Sequence, residues 1–149
     1  MEGNNIEILN INDNYYEKTL EFLGEVKALK SIEEEIVRNA SIIVDQDLVV
    51  GAISYEKFGL YGLIRYFIFK KTVSDYYVTL LMQNLEKKAY SDGITCLFSI
   101  ILDKEVEDLF FELEFEVMDK NNIFIEEERF SDSKYKNTTV MSKKLDSHI

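Results

Sequence analysis

The sequence predicts an α+β fold: a mixed, mostly antiparallel central sheet with flanking helices, in a single domain. Three features carry that expectation. A helix over Asp75–Ser91 stands between two apolar strands, 63–69 (LIRYFIF) and 95–102 (TCLFSIIL). A strand, a helix of about five turns and a buried strand form the pattern of a crossover between parallel strands. Around that unit, 41–44 and 48–55 read as a hairpin across Asp45, Gln46 and Asp47, and 138–145 (TTVMSKKL) reads as a closing strand.

In the central helix, Val78, Leu81, Met82, Leu85 and Ala89 recur at three- and four-residue steps and therefore share one face. Thr72 and Asp75 have the spacing of a capping box. Gly93 suits the left-handed conformation past a helix end. The run 95–102 is almost continuously apolar, as expected of a strand covered on both faces.

Taken in order, Ile6, Ile8 and Ile11 mark a first strand, with Asn12 and Asp13 as its stop. Tyr16, Leu20, Leu23 and Val26 give a helical spacing over 15–29. Ser31 then reads as the cap of a second helix, with Ile32, Ile36 and Val37 on one side. Glu33, Glu34 and Glu35 fill its first turn, where they suit the positive end of the helix dipole. KFGLYG is a turn into 63–69, and a short helix and LEFEV follow 95–102. A strand over 122–127 and a polar loop over 131–137 precede the end.

Composition narrows the function. At 149 residues the chain can bury a sizeable core. No apolar run approaches the ~20 residues of a membrane span, and MEGNNIEIL lacks the pattern of a signal peptide, so a cytoplasmic location and no membrane partner are expected. The single cysteine, Cys96, excludes an intrachain disulfide. With His148 as the sole histidine, a zinc site or a histidine-dependent triad is not expected. A net charge of −11 argues against a nucleic-acid partner and favours cationic ligands.

The element order, read with LIRYFIF, the Leu81, Met82, Leu85, Ala89, Gly93 spacing, DLFFELEFEV and VMSKKL, resembles the GNAT superfamily of acetyl-CoA-dependent N-acetyltransferases over essentially the whole chain. The resemblance implies a cofactor, acetyl-CoA, whose pantetheine arm pairs with the strand edge at Phe67, Ile68 and Phe69. It further implies cofactor contacts from Lys70, Ser74, Tyr76, Tyr77 and Val78 at the turn and helix start, and from Asp103 after the next strand. Tyr66 and Glu56 are the candidate general bases. Glu33, Glu34 and Glu35 fall in the region that forms the acceptor pocket in relatives, which suits a small amine or polyamine.

The departures are specific. Val73, Tyr76 and Val78 stand where the family has an Arg/Gln-x-x-Gly-x-Gly/Ala loop, placing side chains at positions of close approach to the diphosphate, with Asp75 adding a like charge. Lys70 and Lys71 compensate in part. Phe110 replaces the tyrosine that protonates the departing thiolate, and Glu114 replaces a glycine. Three functions remain open from the residues: an acetyltransferase, a GNAT-fold pseudoenzyme serving as a binding or self-association module (including a homodimer), and a noncatalytic binder of another acyl or nucleotide ligand.

Overall fold

The computed structural model describes residues 5–26, 29, 31–118, 124–125, 128–129 and 139–146. Their order is β1 (Ile6–Asn10), α1 (Tyr16–Gly24), α2 (Glu34–Val37), β2 (Ser41–Asp45), β3 (Leu48–Phe58), β4 (Tyr61–Phe69), α3 (Asp75–Ser91), β5 (Cys96–Ile101), α4 (Lys104–Glu112), β6 (Glu116–Val117), β7 (Phe124–Ile125), β8 (Glu128–Arg129) and β9 (Thr139–Lys144). Seven strands form one sheet in the order β1-β2-β3-β4-β5-β9-β6, and β7 pairs with β8. Every contact in the large sheet is antiparallel except β4 with β5, which run parallel as expected.

The apolar stripe of α3 explains its place. Val78, Leu81, Met82, Leu85 and Ala89 are all buried against one face of the sheet, together with Tyr55, Ile64, Leu97 and Met141. The other face of β2–β4 is covered by α1 and α2, which bury Phe22, Leu23, Ile36 and Val37 against Ile42, Ala52 and Tyr66. β5 carries Leu97 towards α3 and Phe98 towards a third cluster with Leu63 and Val140, so it is apolar on both faces.

Several boundaries differ from the sequence reading. The first helix stops at Gly24 rather than running over 15–29, because Glu25 and Val26 bond back three residues, to Phe22 and Leu23, and tighten out of the α-helical ladder. α2 is a single turn whose N-cap is Glu33 in extended conformation; Ser31 lies outside it, and no side chain caps that end. Ser74, not Thr72, precedes α3, and no side chain caps that end, so the capping box does not form. β3 and β4 extend through most of KFGLYG, because Gly59 at φ +63° lets the reversal occupy only Gly59 and Leu60. The 131–137 loop, most of 122–127 and His148 lie outside the described residues. Among the described residues, no helix is long and apolar enough to cross a membrane, and no cluster of His, Cys, Asp or Glu has the arrangement of a metal site.

Candidate active site

The site is built by a bulge and a parting of strands. Ala52 pairs with Ile68 and Ser54 with Arg65, so Tyr66 and Phe67 together oppose Ile53 alone. Tyr66 takes the extra step at φ +55°, unusual for a residue with a Cβ. The side-chain alternation is thereby reset: Arg65 and Tyr66 both face α1 and α2, while Phe67 turns back to the α3 side.

On the α1–α2 face this assembles a charged cluster. Arg65 donates to Glu56 at 2.5 Å and to Glu33 at 3.0 Å, and its guanidinium lies 5.1 Å from the centre of the Tyr66 ring. Burial opposes the Arg65 charge, but the hydrogen bond to Glu33 and the Glu56 carboxylate outweigh it, and the net direction of its pKa is upward. The Tyr66 hydroxyl accepts the Glu33 backbone N–H at 2.8 Å. Ser54 Oγ donates to the Ile36 carbonyl and Asn39 Nδ2 to the Tyr55 carbonyl, pinning α2 and hence Glu33 over β3. Two carboxylates on one guanidinium leave the cluster one negative charge, which favours an ammonium.

The parting lies beside it. β4 and β5 pair only through Tyr61–Cys96, Gly62–Leu97 and Leu63–Phe98. From Ile64 onward the β5-facing edge of β4 has no strand beside it among the described residues, whereas β5 continues along β9 as far as Ile101 and Thr139. Glu56 pairs with Leu63, so this carboxylate stands level with the point where the strands separate. On the α3 side the gap is crossed by rings: Phe67 meets Phe110 edge-on at 5.7 Å, and Phe110 meets Phe115 at 5.0 Å.

The sequence-derived residues distribute unevenly over this geometry. Tyr66, Glu56 and Glu33 come together. Glu34 instead accepts a hydrogen bond from the Tyr16 hydroxyl at 2.9 Å, and Glu35 is exposed. Phe67, Ile68 and Phe69 lie half-buried along the β4 edge. Lys70, Ser74 and Tyr76 are exposed around the start of α3, and Tyr77 is half-buried against the Tyr76 ring. Of the three residues expected to crowd the helix start, Val78 turns into the core at 1% exposure, Tyr76 is exposed and Val73 is half-buried. Asp103 serves as the N-cap of α4, accepting the Val106 N–H at 2.9 Å. Arg65 was missed as a site residue; its signal is a lone charge inside an otherwise apolar strand.

Phe110 is sealed in the core at 1% exposure, not placed in an open cleft. Phe110→Tyr is therefore expected to cost about 1–3 kcal/mol, the penalty of a buried hydroxyl without a partner. Urea unfolding of the two proteins tests this; an undiminished midpoint would show that the para position opens to water.

No family model matches the sequence, and no curated protein matches it. Solved structures do. The N-acetylglutamate synthase from Neisseria gonorrhoeae, crystallised with coenzyme A and L-arginine, superposes with a TM-score of 0.73 at 19% identity over 94% of this chain and 33% of its own. The chain thus spans about a third of the length of that enzyme. A GNAT-family acetyltransferase from Staphylococcus aureus Mu50 superposes with a TM-score of 0.64 at 13% identity, covering 95% of this chain and 99% of its own. An acetyltransferase from Streptococcus agalactiae gives 0.63 at 15% identity, covering 95% and 99%. The chain has the GNAT acetyltransferase fold.

Proposed function

We propose that the chain transfers the acetyl group of acetyl-CoA to the nitrogen of a primary amine or polyamine, at the point where β4 and β5 part. The observation that carries this reading is the β4 edge after Leu63, beside which no strand pairs among the described residues, in a fold shared with N-acetyltransferases. Its backbone amides and carbonyls from Phe67 to Phe69 suit an extended amide-bearing chain such as the pantetheine arm, because such pairing needs no particular side chain. Lys70 and Lys71 flank the start of α3 and offer charge to a diphosphate, but the glycines that would bring backbone amides close to it are missing. The residues present therefore fit the arm better than the diphosphate.

Acetyl-CoA supplies an acyl thioester, an electrophile for an uncharged amine. Glu33 and Glu56 attract the acceptor as its ammonium. Glu56 engages Arg65 through one carboxylate oxygen, Oε1, while the other, Oε2, has no partner among the described residues and is available to take the ammonium proton. Arg65 fixes that carboxylate in place. Phe110 has no proton to give, so the leaving sulfur takes its proton from water or from Glu56.

Thermal unfolding with added acetyl-CoA tests the reading. Ligand at a hundred times its dissociation constant stabilises by about 2.7 kcal/mol, roughly 5–10 °C for a chain of this size. Pantetheine and CoA are expected to bind within about tenfold of each other, about 1.4 kcal/mol. A thousandfold preference for CoA would reveal an intact diphosphate site. No shift at millimolar acetyl-CoA would instead put first the second reading, a GNAT-fold binding module. The Phe67–Phe110 contact across the gap favours that alternative.

A further inference from the structure

A cavity of about 150 Å³ lies behind the β4–α3 turn, on the face of the sheet opposite Arg65. Its walls come from Ile6 on β1, Ile43 and Asp45 on β2, Val50 on β3, and Thr72, Val73, Ser74 and Tyr77. The Asp45 side chain is half-buried, and its Oδ1 is withdrawn from solvent with no hydrogen-bond partner among the described residues. Such an atom is rare in a folded protein and calls for a donor, since a carboxylate oxygen removed from water without one is costly. Besides Asp45 the cavity is lined by three hydroxyl-bearing residues, Thr72, Ser74 and Tyr77, and by the aliphatic Ile6, Ile43, Val50 and Val73.

We infer that this cavity binds a primary alkylammonium. An ammonium presents three N–H donors on a compact charge, one for Asp45 Oδ1 and two for neighbouring hydroxyl oxygens. Its methylenes lie along the aliphatic wall and remove apolar surface from water. A neutral alcohol satisfies only the donor requirement, and a quaternary ammonium has no N–H to donate. A phosphate or other anion is repelled by the same carboxylate. The site lies on the other face of the sheet from the Glu33–Arg65–Glu56 cluster; it shares Ser74 and Tyr77 with the expected cofactor contacts, but its probe contains no acyl group or CoA, so its failure and that of the transferase reading are told apart.

The probe is n-butylammonium chloride, titrated calorimetrically into the whole chain, with butan-1-ol, tetramethylammonium chloride and potassium chloride at matched ionic strength as comparisons. Saturable binding of butylammonium alone is expected, weakened about tenfold or more by Asp45→Asn, which removes a charged acceptor. Amide shifts in the wild-type spectrum are expected at residues 43–50 and 72–77, a readout that does not depend on the variant folding. Equal binding of tetramethylammonium or potassium would show screening of the net charge of −11 and overturn the site. So would shifts confined to Glu33, Glu56 and Arg65, unchanged affinity in a folded Asp45→Asn, or no binding at all, which would leave the cavity to water.

Discussion

Lys143→Ala is expected to lower the unfolding free energy by about 3–5 kcal/mol, the range found when one partner of a buried ion pair is removed. Glu86 lies on the core face of α3 at 2% exposure, beside Met82, Leu85 and Ala89. Lys143 on β9 donates to it at 2.9 Å and to the Leu113 carbonyl at 3.3 Å, and Glu114 lies 3.7 Å away. One ammonium thus ties α3, β9 and the end of α4. Without it, the Glu86 carboxylate stays buried and uncompensated.

The loss should depend on pH. Burial raises the Glu86 pKa above that of an ordinary carboxyl, and Lys143 only partly offsets this. A group with a raised folded-state pKa contributes stability that is complete below its unfolded pKa and is lost as pH climbs through the folded value. Removing Lys143 raises that pKa further, so the deficit should be smallest near pH 4 and grow towards neutrality. Glu86→Gln should flatten this dependence in either background. The pair Glu86→Leu with Lys143→Met should recover most of the loss, since an apolar replacement of similar volume needs no compensation. Urea unfolding at two pH values measures all of these. A cost below about 1 kcal/mol for Lys143→Ala would mean that the pair behaves as a surface bridge.

The same helix shows what a sequence reveals and what it hides. Spacing alone identifies the buried face of α3 and its length, because the 3.6-residue period is local. Glu86 falls on that face, yet its partner is 57 residues away and no periodicity points to it. The parallel pairing of β4 and β5 was legible from the crossover helix, whereas its end at Leu63 was not, since register is set by contacts with other strands. The left-handed backbone of Tyr66, which is buried at 8% exposure, was not legible, because nothing in RYFI demands a bulge. That single step brings Tyr66 onto the face where Arg65 already meets Glu33 and Glu56, and so the hydrogen bond from Glu33 to Tyr66 is a tertiary product. Ser31 failed as a cap for a related reason: Tyr66 and Ser54 hold α2 from the sheet side, and a local signal lost to that packing.

Glu56→Gln is expected to lower kcat for acetyl transfer by about 10²–10⁴-fold, the usual contribution of a positioned proton acceptor. Position supports Glu56 over its neighbours. It pairs with Leu63, the last β4 residue paired with β5, and is therefore level with the gap. Tyr66 spends its hydroxyl oxygen on the Glu33 N–H, and Glu33 is more exposed, on the rim of the cluster. Glutamine preserves the shape and can still accept from Arg65, so the melting temperature should hold while the proton acceptor is lost. Release of CoA thiol from acetyl-CoA, followed over a panel of polyamines and primary amines, gives the rates. Glu33→Gln serves as the comparison: a residue that only attracts the ammonium should raise KM and leave kcat largely intact. A Glu56→Gln protein that retains wild-type kcat would remove Glu56 from the chemistry and make Tyr66 the next residue to test. A fall in kcat with KM unchanged would instead assign Glu56 an interaction made in the transition state, as proton removal from the acceptor requires.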